Sequence, residues 1–501
     1  NTERNRKMKK IKTPLSLLLA IILLSAGLAV PVSAADITPD EWKSYYYDST
    51  GDADKGIIMQ PGSDNSSRNI SWYAAKDSDC CEVKLADNES MRGAKTFKGA
   101  LSETYQGDNR AYVTISGLEA ETEYYYTCIS DGYESDVYSF TTEGDEFSAM
   151  FVTDIHITGG TDSFADVEKD SLTFANIVGQ AKEVSKANGR EITTILSAGD
   201  QASSGFRSEY IGLTASPAVK TLDFATSIGN HDRKGVDYKF FKSVPNEYFG
   251  MVNSYQGGDY WFTKGDVLFM VMDSNNGSGT DHHSFIQKAV AANPDAKWRV
   301  CMMHHDLWGQ TIPHRESENK MLRLLWTPIF DEFNIDLVLL GHSHCYSVSN
   351  IMYNKESVTD LRNGYEITNA EGTVYMVSGS LTRPRSGGYT YGENIGIGID
   401  DPEKIVYNII DFNENDITVK TYDYADASVY ASFKLIKDAD SKPVKIKFWR
   451  TLFSRFADLC GTIFAVFNNI SVTKKLREKG YDISYIKTIF NNKALTQEPL
   501  C

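Results

Sequence analysis

The chain has 501 residues, 41% of them hydrophobic and 12% aromatic, which suffices to bury the cores of two to four domains and excludes an intrinsically disordered protein. Residues 1–35 carry a net charge of about +5 and residues 441–501 about +7, so the −16 of the whole chain leaves roughly −28 on the body between them. A body that acidic lacks the basic face that a nucleic-acid backbone needs, and seven scattered cysteines are too few for a disulfide framework.

Lys9, Lys10 and Lys12 precede an apolar run from Leu15 to Val30, and Val32-Ser33-Ala34 supplies small residues beyond it. This pattern predicts a signal peptide over 1–35, translated from Met8, and a secreted or cell-surface protein. An uncleaved anchor is the competing reading, but the apolar run is short for a span of about 20 residues.

From residue 36 to 145 the chain alternates in short runs such as GIIMQPG, NISWYAA, CEVKLAD, AYVTISGL and TEYYYTCIS, with β-branched and aromatic residues at period two. These predict a β-sandwich. Leu118 to Tyr124 resembles the tyrosine corner of fibronectin type III domains, and Trp72 stands where such domains bury an aromatic ring. With Pro61-Gly62 and Ser71-Trp72, the segment resembles the N-terminal domain of purple acid phosphatases. A spacer of immunoglobulin type has the same pattern.

Residues 146–437 alternate apolar strands (FSAMFV, ITTILSA, VLFMVMD, WRVCMM, DLVLL) with helical stretches at 163–187 and 318–333. That is an α/β domain, closed by the β-type segments TVYMVSGS, KIVYNIIDF and ITVKTYD. Residues 438–501 form a basic tail in which Phe448, Trp449, Leu452, Phe453 and Phe456 recur at helical spacing. The tail is read as an amphipathic helix that packs on the second domain or contacts a membrane surface or a partner.

Five motifs follow apolar strands: Asp154-Ile155-His156, Gly199-Asp200, Gly229-Asn230-His231-Asp232, His304-His305 and Gly341-His342-Ser343-His344. Each is weak alone, but five in order place oxygen and imidazole ligands just past strand carboxyl ends, where open α/β sheets keep their sites. Two divalent metals about 3.5–4 Å apart need a bridging anion, and Asp200 is assigned to that bridge. Asp154, His156 and His344 join it on one metal. Asn230, His304 and His342 join it on the other. His305 competes with His304 for its place.

This motif series resembles the calcineurin-like metallophosphoesterases. The resemblance implies a β-sandwich N-terminal domain followed by a four-layer α/β/β/α domain, with two divalent or mixed-valence ions of iron, zinc or manganese. It favours His304 as ligand, and it implies that His231 binds substrate phosphate and steers protonation of the leaving group, with Asp232 orienting it. His314 falls where plant purple acid phosphatases carry a substrate-facing histidine. One departure concerns the purple acid phosphatase motif GDxxY, which reads Gly199-Asp200-Gln201-Ala202-Ser203 here, so the tyrosine is absent while His156 is present. A second is Asp306, which is expected to alter the substrate rim. Arg383 and Arg385 could reach a phosphate or be solvated. His282 and His283 have no motif around them and are expected to be solvated.

The function expected is an exported phosphatase that acts on small phosphomonoesters through attack of a metal-activated hydroxide. A phosphodiesterase or nucleotidase with the same ligands is the alternative. A non-catalytic cell-surface binding protein should have lost ligands, and none is missing.

Overall fold

The computed structural model describes residues 37–47, 55–131, 133–158, 164–248, 258–309, 316–384, 394–401 and 403–438. The predicted signal peptide, the tail beyond 438, His314 and Arg385 lie outside the described residues.

The N-terminal sandwich pairs two antiparallel sheets. One has the strand order Ile58–Pro61, Ser67–Ala74, Asn109–Ser116, Ala100–Glu103, and the other is built around Glu82–Ala86 and Glu123–Ser130. Alternation decides which side chains enter its core: Ala111, Val113 and Ile115 point inward from one strand and meet Trp72, Val83 and Tyr126. Trp72 is fully buried and donates from Nε1 to Ser130 Oγ at 2.9 Å, which ties the two sheets together. Tyr124 OH accepts the Glu119 backbone N–H at 2.9 Å, the backbone bond expected of a tyrosine corner.

Two seven-stranded sheets form the heart of the second domain. The first runs Asp223–Thr226, Ile192–Ser197, Phe147–Val152, Val406–Phe412, Asp416–Asp423, Val429–Ile436, Tyr365–Thr368. The second runs Tyr260–Lys264, Val267–Val271, Trp298–Met302, Leu337–Leu340, Val374–Val377, Ser347–Ser349, Ile395–Gly398. The segment FSAMFV is apolar but for Ser148, whose hydroxyl donates to Asp411 Oδ1 at 2.6 Å, because both of its faces are covered. Phe147, Ala149 and Phe151 pack between the sheets, while Met150 and Val152 face the helix Phe164–Ala187. Helices Gly279–Ala292 and Glu316–Glu332 cover the outer face of the second sheet, which completes the four layers α/β/β/α.

The sandwich is welded to this domain. Arg68 Nη2 lies 2.7 Å from Glu143 Oε2 and its Nε 2.7 Å from Asp223 Oδ1, while Lys264 bonds both carboxylates. All four side chains are at most 2% exposed. Helix Pro39–Tyr47 precedes the sandwich in sequence, yet it packs Trp42 and Tyr46 into the core beneath Phe164–Ala187. The first residues of the 36–145 unit thus pack with the second domain.

Candidate metal centre

The five motif loops converge at one end of the domain. Those bearing Asp154, Asp200 and Asn230 leave the adjacent parallel strands Phe147–Val152, Ile192–Ser197 and Asp223–Thr226, and those bearing His304 and His342 leave Trp298–Met302 and Leu337–Leu340 of the facing sheet. Parallel register sends all five in the same direction, so two sheets contribute to one cluster. The loops are cross-bonded: Asp154 N to Gly199 O (3.0 Å), His156 N to Asp200 O (2.9 Å) and Gly341 N to His304 O (2.8 Å). Asp154, His156, Asp200, His342 and His344 all have left-handed backbone, with φ between 48° and 72°. Such conformations cost on the order of 1–3 kcal/mol each and collect at functional sites.

All seven predicted metal ligands fall in this cluster. Asp200 Oδ2 is 3.2 Å from His304 Nε2 and 3.6 Å from His156 Nε2. Asp154 Oδ1 is 3.2 Å from His344 Nε2 and 3.6 Å from His156 Nε2. His304 Nε2 lies 3.1 Å from Asn230 Oδ1 and 3.2 Å from His342 Nδ1, and His156 Nε2 lies 3.2 Å from His344 Nε2. His305 instead has its Nδ1 2.8 Å from Ser274 Oγ.

The donor set suits cations. His304 Nδ1–H donates to Ala198 O at 2.9 Å and His344 Nδ1–H to Arg383 O at 2.8 Å, which leaves both Nε2 lone pairs facing inward. Carbonyls that fix the tautomer in this way are the usual support of metal-ligating histidines. Asp154 Oδ1 is buried and accepts no hydrogen bond, though two imidazoles stand within 3.6 Å, so these atoms converge on a common point and do not pair with one another. Three overlapping groups, Asp154/His156/His344, Asp154/Asp200/His304 and His156/Asp200/His231, each have ligand atoms within 4.8 Å of one another.

Electrostatics agree with an electron-rich pocket. Burial would raise Asp154 and Asp200, but the surrounding imidazoles outweigh it and hold both below the usual carboxylate range. Burial would lower His304, yet the Asp200 carboxylate lifts it to about 9, so a proton competes with a metal for that nitrogen.

His231 reaches the cluster but is not held as expected. Its Nδ1 lies 2.7 Å from Ser203 O and 2.7 Å from Lys234 Nζ, and its backbone N–H donates to Asp200 Oδ1 at 2.7 Å. Burial, with help from Lys234, holds its pKa below the ordinary histidine value against the pull of Asp200. Asp232 makes no bond to the ring and does not orient it. Its carboxylate takes the N–H groups of Gln201, Ala202 and Gly229 and the hydroxyl of Tyr210, at 2.9–3.3 Å. Burial and the Asp200 charge push Asp232 up to about 7. It ties the Asp200 loop to the His231 loop and is a positioning residue. Asp306 also departs from expectation: it is fully buried and bonds Ser343, between His342 and His344, so it supports the ligands from beneath and does not line a rim. Arg383 does reach the site's edge, with its guanidinium on Thr158 Oγ1. The supports supplied by Ala198 O, Ser203 O and Arg383 O had no sequence signal, because any residue has a carbonyl.

Gly229 makes the close approach possible. A Cβ there would stand 2.0 Å from Asp200 Oδ1 and 2.3 Å from Asp200 N. Gly229→Ala must therefore displace Asp200, and turnover is expected to fall about a hundredfold or more with metal content falling alongside. Activity within threefold of wild type would show that the approach is looser than described.

His282 corrects another expectation. It is fully buried, with Nδ1 2.6 Å from Asp259 Oδ2 and Nε2 2.8 Å from Asn276 O, so both nitrogens face acceptors and the ring is an imidazolium. His283 is partly exposed, 3.2 Å from Glu332. Burial would lower His282, but Asp259 outweighs it and the folded pKa is raised. The folded state thus binds this proton more tightly than the unfolded chain, whose value is about 6.5. The contribution is complete below about pH 6.5 and is lost as pH rises through the folded pKa. Unfolding free energy of wild type is expected to decline over that window relative to His282→Gln, and parallel pH profiles for the two proteins would refute the assignment.

Residues 147–346 match the calcineurin-like phosphoesterase domain family, and residues 55–142 match the N-terminal domain of purple acid phosphatases. Purple acid phosphatase 23 of Arabidopsis thaliana is 24% identical over 368 residues, which cover 66% of this chain and 76% of that protein. The solved structure of purple acid phosphatase PPD1 from yellow lupin superposes with a TM-score of 0.59 at 14% identity, over 78% of this chain and 77% of its own. The structure of PhoD superposes with a TM-score of 0.54 at 12% identity, over 83% of this chain and 99% of its own, which shows a shared fold.

Proposed function

We propose that this chain, a phosphoric ester hydrolase joining a purple acid phosphatase N-terminal domain to a calcineurin-like phosphoesterase domain, is an exported phosphatase for small phosphomonoesters. The observation that carries the reading is Asp200, whose buried carboxylate stands between His156 and His304 and belongs to two of the three ligand groups. In this reading Asp154, His156, Asp200 and His344 hold one ion, and Asp200, Asn230, His304 and His342 the other. When bound, such a pair neutralises phosphoryl charge and makes water nucleophilic near neutral pH.

The chain's own groups supply the rest. The cross-bonded loops hold the ligand residues in their left-handed conformations, which limits the reorganisation that binding an ion would require. With Nδ1 placed against Ser203 O and Lys234 Nζ, His231 can present Nε2 to the phosphate or the leaving oxygen. Ser203, in the place of the tyrosine of the GDxxY motif, has Oγ 3.5 Å from His156 Nδ1 and offers no phenolate.

Metal analysis of purified residues 36–501, with turnover of p-nitrophenyl phosphate and bis-p-nitrophenyl phosphate, tests this. Two ions per chain, preference for the monoester and no tyrosinate charge-transfer colour are expected. Preference for the diester would move the assignment to a phosphodiesterase, and absence of bound metal would defeat it. Export predicts a mature N-terminus near residue 35, readable by N-terminal sequencing of the protein recovered from outside the producing cell.

A further inference from the structure

The buried pair His282–Asp259 lies outside every motif, yet it grips both ends of one short loop that reaches the metal centre. Asp259 Oδ1 accepts the Asp273 N–H at 2.8 Å, and His282 Nε2–H donates to Asn276 O at 2.8 Å. The two residues between these anchors turn the other way. Ser274 Oγ takes the His305 backbone N–H at 3.0 Å and lies 2.8 Å from its Nδ1, and the His305 ring rests 4.5 Å from that of His342. Asn275 Nδ2 donates to Ile228 O at 3.2 Å, two residues before Asn230, and to Asp273 Oδ1 at 2.9 Å. Trp326 closes over the imidazolium, with ring centroids 4.7 Å apart.

We infer that His282 and Asp259 are positioning residues for one of the two metals: their ion pair fixes loop 273–276, which sets Asn230 through Ile228 and His342 through His305. The inference rests on the binuclear reading above. An ion pair suits the task because each partner keeps one hydrogen-bonding atom for the loop after bonding the other, which no single neutral side chain at either position does. The pair acts selectively, because the other three ligands are held by different contacts: Asp154 by the hydroxyls of Thr153 and Ser380, His156 by Asp200 O and the Ser203 hydroxyl, and His344 by Arg383 O.

The test is calorimetric titration of Mn²⁺ or Zn²⁺ into the metal-stripped full chain. Wild type should show two binding events, and fewer would sink the binuclear reading itself. In His282→Gln one event should weaken about tenfold or more while the other is unchanged, the usual effect of losing an outer-sphere support, and excess metal should restore turnover. Phe285→Leu, on the same helix and equally buried, should lower thermal stability without altering either event. Asn275→Ala leaves the ion pair intact and should reproduce the selective weakening, which keeps the test decisive if His282→Gln does not fold. Isotherms of His282→Gln or Asn275→Ala that match wild type would overturn the inference.

Discussion

Asp200→Ala is expected to lower p-nitrophenyl phosphate turnover on the order of a thousandfold or more, equivalent to about 4 kcal/mol of transition-state stabilisation. The size follows from how many roles the carboxylate combines. It is buried, stands within 3.6 Å of imidazoles on both sides of the centre, and takes the backbone N–H of His231, so its removal affects both ion positions and the loop that presents His231. Metal analysis of the same preparation should show fewer than two ions per chain. Turnover within tenfold of wild type, with both ions retained, would mean that Asp200 does not bridge.

Arg68→Met should destabilise the protein by about 3–5 kcal/mol, because it leaves Glu143 and Asp223 buried against a single Lys264. Burial alone pushes Asp223 upward and Arg68 opposes that shift, so the vacated carboxylate would tend to take up a proton. Guanidinium unfolding monitored by tryptophan fluorescence measures the effect, since Trp72 reports on the sandwich and Trp298 on the second domain. Wild type should unfold in one transition and the variant at a lower midpoint. A loss below about 1 kcal/mol would show that the four charges are effectively solvated and that the sandwich is only tethered.

The candidate metal ligands were legible because their chemistry is written in residue type. Strand-ending Asp, Asn and His in a fixed order identify themselves, and the apolar runs before them announce sheets covered on both faces. His282 illustrates the opposite case. Its helix, Gly279–Ala292, buries the ring on the same face as Phe285, Ile286 and Ala289, where an apolar residue is expected, and the partner that makes the ring an imidazolium lies 23 residues away in sequence. Asp232 misled for a related reason. Adjacency to His231 suggested that it orients the ring, but the turn that follows Asn230 points its carboxylate at backbone N–H groups of another loop.

By itself the sequence determined the order of sandwich and α/β domain and the candidate ligand set, because each depends on side-chain type or period. Tertiary structure alone decided which carbonyls set the histidine tautomers, that Asp232 joins two loops, that helix Pro39–Tyr47 packs with the second domain, and that a buried four-charge cluster joins the sandwich to it. These features depend on distances between segments remote in the chain. Backbone carbonyls and buried charges carry no positional signal until folding places their partners beside them.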